Sequence, residues 1–212
     1  LHKIGVPLPF IVGAGVTLIA IGIVVAFVKE PDLSDQPGPE EEPGIWANAK
    51  RLATDRDRSG LFLLAAIFSW IVAFNTILAF FTLYARNVLR VPVGAGAQML
   101  TAFPAALTVF AIPSGLLATR IGRKPTIIIG LGGMVLCSLV AFAVGNPIVL
   151  LAVLAVMGAF WALVNINSLP MVYDLAGQRS IGAFTGLYFF AASLAAIAGP
   201  ILAGWLIDST SY

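Results

Sequence analysis

Residues 92–118, PVGAGAQMLTAFPAALTVFAIPSGLLA, and residues 125–144, PTIIIGLGGMVLCSLVAFAV, are two apolar runs joined by six residues, TRIGRK, of which three are cationic. Each run can cross the hydrocarbon core of a bilayer as a helix. That core is about 30 Å thick and takes about 20 apolar residues, because no water is present to satisfy exposed backbone groups. Working outward, four more segments meet the same requirement: Pro7 to Val28, Gly60 to Ala85, Pro147 to Tyr173 and Ile181 to Ile207. Four of the six segments open on proline, which costs little in a first helical turn because its missing N–H would be unpaired there anyway. Internal Pro104, Pro113, Pro170 and Pro200 are expected to kink or end their helices. The expected fold class is an all-α membrane protein with six transmembrane helices.

Composition excludes an ordinary cytosolic enzyme. Of 212 residues 59% are apolar and 10% are charged, against about 25% charged in a typical soluble domain. Thirteen of the 22 charged side chains fall between Lys29 and Arg58, and the remainder are Lys3, Arg86, Arg90, Arg120, Arg123, Lys124, Asp174, Arg179 and Asp208. A net charge of +2 on so few groups leaves no basic stripe for nucleic acid. The single cysteine, Cys137, lies in an apolar run and the single histidine, His2, at a chain end, so no metal cluster can be assembled and no cofactor is expected. A nucleotide-binding reading of Gly130-Leu-Gly-Gly133 fails, because these residues lie inside a span instead of following a strand.

Three regions follow from this pattern: 1–29 as one transmembrane helix, 30–59 as a linker, and 60–212 as five further spans. The linker begins with PDLSDQPGPEEEPG (31–44), too polar and proline-rich to bury a core. In residues 45–53 the spacing of Ile45, Trp46, Ala49, Leu52 and Ala53 predicts a short amphipathic helix on the membrane surface. Alternating spans put nine lysines and arginines on the side of the linker and the Arg120 and Arg179 loops, against Lys3, Arg86 and Arg90 opposite. Short cationic loops stay in the cytoplasm, so the linker side is expected there and the protein in the cytoplasmic membrane.

The spans differ in polarity. Pro7 to Val28 carries only Thr17, and Pro125 to Val144 only Thr126, Ser138 and Cys137, so both are expected at the periphery. The others carry amides, hydroxyls and indoles, which at that depth face protein or a water-filled cavity. Glycine pairs such as Gly132/Gly133 suit close helix packing.

Gly115-Leu-Leu-Ala-Thr-Arg-Ile-Gly-Arg-Lys124 resembles the loop signature of the major facilitator superfamily, G-x-L-A-D-R-x-G-R-K, with Thr119 in place of the family's usual aspartate. Gly122 can take the positive φ of a tight turn and Gly115 is expected to allow close helix contact. The polar linker resembles the loop between the two halves of such proteins, and Gly199-Pro200-x-x-x-Gly204 resembles the pattern of the eleventh helix. The resemblance therefore implies helices six to eleven of twelve, with the N-terminal half of the same polypeptide as a missing partner. Trp161-Ala-Leu-Val-Asn-Ile-Asn-Ser-Leu-Pro-Met-Val-Tyr-Asp174 and Gly182-Ala-Phe-Thr-Gly-Leu-Tyr188 are similar to the sucrose transporter and glycoside-cation symporter branch.

The resemblance implies a secondary transporter that moves a small solute, a sugar in that branch, by rocking one half against the other around a midplane site. Sugars need amides, hydroxyls and an aromatic face, and Asn75, Gln98, Trp161, Asn165, Asn167 and Tyr188 supply them. At the cytoplasmic end, Gly115, Arg120, Gly122, Arg123 and Lys124 form the gating turn, and Asp174 can pair with Arg120 or Arg123. No acid lies deep in a span, so coupling to protons or sodium would use the missing half. Two alternatives stay open: a self-contained six-span channel, and a superfamily transporter of a non-sugar solute such as a drug or metabolite. An intramembrane hydrolase is disfavoured, because Ser114 has no histidine or carboxylate pair at its depth.

Overall fold

A computed structural model describes residues 8–27, 58–176 and 181–210. The expected linker, 30–59, with its surface helix at 45–53, lies almost wholly outside the described residues. Among the described residues all regular structure is helical: α1 (Leu8–Phe27), α2 (Ser59–Asn87), α3 (Val93–Leu100), α4 (Ala102–Ile121), α5 (Arg123–Ala143), α6 (Pro147–Ala176) and α7 (Ile181–Thr210). The chain divides into two compact units, residues 1–41 and 42–212.

The first unit contains α1, 20 residues long, which at 1.5 Å per residue is about 30 Å, the thickness of a hydrocarbon core. Val16, Leu18, Ile19 and Val25 are exposed on it. In the second unit five helical stretches are long and apolar enough to cross a membrane: α2, α3 with α4, α5, α6 and α7. Of the six spans expected from sequence, these five meet that criterion and α1 is the shorter sixth helix.

The third expected span, Pro92 to Ala118, is two helices that meet at Thr101. Pro104 explains the break, since a proline removes one helical hydrogen bond and its ring collides with the carbonyl four residues earlier. That carbonyl belongs to Leu100, where α3 ends. Thr101 covers the end of α3 by donating from both its backbone N–H (3.0 Å) and its hydroxyl (2.6 Å) to the Gln98 carbonyl. Pro113, Pro170 and Pro200 by contrast lie inside helices that continue through them.

The connection between α4 and α5 is a single residue, Gly122, at φ +93°, a conformation that side chains resist. Its N–H donates to the Ala118 carbonyl, and its own carbonyl accepts from the Thr126 hydroxyl at 2.7 Å. One glycine therefore caps both helices.

Helix α6 is the hub: α4 and α5 pack on it, α2 packs mainly on α7, and α6 meets α7 and α2 more lightly. The core joins Ile67 and Trp70 of α2, Phe103 of α4, Ile127 and Met134 of α5, and Met157, Trp161 and Val164 of α6. A second cluster of Phe81, Ala85, Leu89, Leu150 and Leu154 lies toward the α2–α3 turn. Outside this core the surface is apolar: Phe142 is 90% exposed, Ile148 79% and Ile112 75%. Such a surface suits hydrocarbon and not water. Helix α5 carries Val135, Leu136 and Leu139 on its exposed side.

Close approach is what the glycines of this hub provide. A Cβ at Gly133 would overlap the ring of Phe160, and one at Gly158 would overlap the carbonyl of Phe103. Gly132 and Gly115 differ from expectation, since a Cβ on either would meet nothing within 4 Å. The reason at Gly115 is rotational: the face of α4 that enters the bundle is that of buried Ser114 and Ala118.

A backbone carbonyl cannot swing aside as a flexible side chain can, so Gly158→Ala must push α4 from α6. It is expected to cost about 1–3 kcal/mol in thermal unfolding of the detergent-solubilised protein. Gly132→Ala on the open face should be neutral or gain up to about 1 kcal/mol from helix propensity.

Candidate functional site

Helices α4, α5 and α6 bring most of the signature residues to one end of the bundle. Arg123, in the first turn of α5, places Nη1 2.6 Å from Asp174 Oδ2 on α6, and the same nitrogen donates to the Pro170 carbonyl at 2.6 Å. Of the two arginines open to Asp174 by sequence, Arg123 is the partner, and Arg120 and Lys124 stay exposed. The paired side chains are 38% and 60% exposed, so screening limits the pair to about 0–1 kcal/mol. Thr119 folds its hydroxyl back onto the Leu116 carbonyl at 2.7 Å, so its proton is used within its own helix. Gly115, Thr119, Gly122, Arg123, Asn167, Pro170 and Asp174 line one cleft of about 440 Å³. Gly115, expected as a packing glycine, is instead part of that cleft wall.

Deeper between α4 and α6 sits a closed polar cluster. Ser114 is fully buried and Asn167 is 3% exposed. The Ser114 hydroxyl donates to the Ala162 carbonyl at 2.9 Å and accepts from Asn167 Nδ2 at 2.9 Å. Asn167 Nδ2 also donates to the Leu163 carbonyl of its own helix at 2.9 Å. Both amide hydrogens are thus engaged, and Asn167 acts as a tie between helices. It also lines the 440 Å³ cleft.

Trp161 is also buried. It is 5% exposed and stacks on Phe74 of α2, with centroids 4.2 Å apart and planes at 14°. Phe103 of α4 adds a tilted contact to Phe74 at 5.2 Å. This aromatic trio joins three helices through Phe74.

Asn75 and Tyr188 are half-buried at helix crossings. A Cβ at Gly199 would lie 2.9 Å from Asn75 Cβ, so the glycine of the Gly199-Pro200 pattern is what lets α7 reach α2 at this point. Asn75 Nδ2 donates to the Ile71 carbonyl at 2.9 Å, and neighbouring Thr76 donates to the Gly199 carbonyl at 3.1 Å. Tyr188 Oη lies 3.2 Å from Ser168 Oγ, which in turn donates to the Asn165 carbonyl at 3.0 Å. Ser168 therefore ties the Tyr188 hydroxyl of α7 to the backbone of α6. The side chains of Asn165 and Gln98 are exposed.

Sequence reasoning missed three members of this arrangement as site residues: Phe74, Ser114 and Ser168. Each is an ordinary residue in an apolar helix, and only its partner on another helix gives it a role.

A bundle with a lipid-type exterior and an interior of engaged polar side chains defines an integral, multi-pass membrane protein. The sequence model of the Major Facilitator Superfamily matches residues 92–212, more than half of the chain, and the chain belongs to this family. Its all-helical architecture is a partial major-facilitator fold. A relative from Staphylococcus haemolyticus (strain JCSC1435), named as a proline/betaine transporter, is 27% identical over 189 residues, which cover 80% of this chain and 40% of the relative. The chain thus spans less than half the length of that protein.

The two asparagines of α6 should separate cleanly in stability. Ser114→Ala removes two interhelical bonds and Asn167→Ala one, each worth on average about 0.6 kcal/mol in membranes, for expected losses of about 1 and about 0.6 kcal/mol. Asn165→Ala should leave the unfolding temperature in detergent unchanged.

Proposed function

We propose that this chain forms part of a secondary transporter that carries a small solute of no net charge by alternating access. The observation that carries this reading is Asn165, an exposed primary amide in the middle third of α6. A polar group at that depth faces protein or a water-filled cavity in preference to lipid. Gln98 on α3 and half-buried Asn75 and Tyr188 supply further amide and hydroxyl groups for such a path. Charges among the described residues stand only at or beyond helix ends: Arg58, Arg86, Arg90, Arg120, Arg123, Lys124, Asp174 and Asp208. A path walled by amides and hydroxyls favours a neutral, hydroxyl-rich solute, and the similarity of residues 161–174 and 182–188 to the glycoside-cation branch makes a sugar the first candidate.

The match to a protein named as a proline/betaine transporter supports a second reading, a zwitterion, which is also without net charge. Aromatic faces serve a quaternary ammonium group well, and Tyr188 on α7 is a half-buried aromatic. In both readings the Arg120 and Arg123 end faces the cytoplasm, the membrane is the cytoplasmic one, and the remainder of the polypeptide supplies the second half and the groups that couple transport to protons or sodium.

The test is uptake of radiolabelled sucrose, maltose, proline and glycine betaine by vesicles carrying the full-length protein, with and without an ion gradient. Gradient-driven uptake of a sugar, reduced at least tenfold by Asn165→Ala, is the expected result. Uptake of proline or betaine alone establishes the zwitterion reading, and transport confined to ionic solutes would overturn both.

The Arg123–Asp174 pair has a separate consequence. A contact of up to about 1 kcal/mol can shift a balanced two-state equilibrium by up to about fivefold. Asp174→Asn is therefore expected to change the maximal transport rate by up to about fivefold with little change in half-saturating concentration. Identical rates in variant and parent would remove the pair from the transport cycle.

A further inference from the structure

On the far side of the α4–α6 contact from the Arg123 cleft lies a larger groove, of about 620 Å³. Ala106, Phe110, Pro113 and Leu117 form its α4 wall, with Ala159 and Leu163 opposite on α6. The one hydroxyl that lines it, on Ser114, already donates to the Ala162 carbonyl and accepts from Asn167. A polar solute would find no free partner there, whereas a hydrocarbon chain needs none.

The groove continues. It shares Val156 and Phe160 with a second apolar cleft of about 340 Å³ that reaches Val140 on α5 and Val149 on α6. Along α4 the wall from Ala106 to Leu117 follows about 16 Å of helix at 1.5 Å per residue, which matches half of a hydrocarbon core of about 30 Å, the depth of one leaflet.

At the other end the wall residues of α4 recur at spacings of four, three and four, and three residues beyond Leu117 the stripe arrives at Arg120. Residues three and four apart share a helix face, and side chains lean back toward the preceding turn. Arg120 therefore stands over the mouth of the groove. It is exposed, and among the described residues the one ion pair is that of Arg123 with Asp174, so Arg120 makes none. Beside it, the first turn of α5 has no side-chain cap, which adds positive potential at the same level.

We propose that this groove holds one anionic phospholipid, its acyl chain laid between α4 and α6 and its phosphate on Arg120. The charge at the mouth and the apolar wall below it match the two ends of such a molecule. The assignment needs only the membrane location of the bundle and is independent of which solute, if any, is transported.

The test is native mass spectrometry of the full-length protein released from detergent containing phosphatidylglycerol or phosphatidylcholine with the same acyl chains. One retained phosphatidylglycerol per protein is expected, about fivefold preferred, as one cation near the headgroups implies. Arg120→Gln should bring the preference to about one, Arg120→Lys should keep most of it, and Arg90→Gln should have no effect. Ala159→Phe, or Ala155→Leu on the same face if that variant does not fold, should lower retention of both lipids. Equal retention of the two lipids by the parent, or a preference indifferent to Arg120→Gln, would overturn the headgroup contact. A preference lost with Arg120 but untouched by filling the groove would overturn the acyl-chain seat. Retention of neither lipid would show that a protein segment covers the groove and would overturn the proposal.

Discussion

Helices surrounded by hydrocarbon gain no hydrophobic free energy from touching one another, so α4 and α5 stay on α6 through contact distance and hydrogen bonds. Contact distance comes from residues without side chains at the crossings. Gly158 lets the Phe103 backbone rest on α6, and Gly133 admits the Phe160 ring under α5. Once the backbones are this close, short polar side chains can reach across: Ser114 meets Ala162 and Asn167 without any long side chain being stretched. The aromatic trio of Phe74, Phe103 and Trp161 follows from the same approach, since Phe103 sits on α4 at the point where Gly158 draws it in.

The polar residues of the bundle sort by how many of their groups this packing consumes. Ser114, Asn167 and Thr126 are buried and bonded, and no buried side-chain nitrogen or oxygen among the described residues lacks a partner. Thr108 and Ser69 return their hydroxyls to carbonyls four residues earlier, a local solution that leaves a helix face indifferent to its surroundings. Asn165 and Gln98 do neither, since both side chains are exposed and no bond of theirs spans two helices. A primary amide has more donors and acceptors than its own helix can satisfy.

Much of this was legible in the sequence because lipid enforces a simple pattern. The five long apolar spans, the proline that opens α6 and the positive φ of Gly122 all follow from backbone rules that act locally. Rotation about a helix axis was harder to read. Asn165 and Asn167 are two residues apart and so about 200° apart around α6. Their spacing alone assigns them to different faces but not to which neighbour each face meets. Gly115 was misread for the same reason, as the packing face of α4 is one position round, at Ser114 and Ala118. Pro104 was visible as a disturbance, but whether a proline ends a helix or is absorbed within it depends on surrounding contacts. Thr101 was there to cap the broken turn, and Pro113, Pro170 and Pro200 show the other outcome.

The place of the ion pair within the bundle limits what it can do. Arg123 and Asp174 join α5 to α6, two helices already held together by the contacts of Gly130 and Gly133 with α6. A contact present equally in two conformations shifts neither, so the pair can bias an equilibrium only if its surroundings change between states. Its open side is the cleft that runs past Gly115 and Thr119, where α4 brings no charge to the wall. Whatever enters there would meet the half-exposed guanidinium and carboxylate together. An aspartate in place of Thr119 would have put a third charge on that wall and competed for Arg123. With threonine there, Asp174 is the one acidic partner of Arg123 among the described residues, and the Pro170 carbonyl takes the share of the guanidinium that a second carboxylate would have claimed.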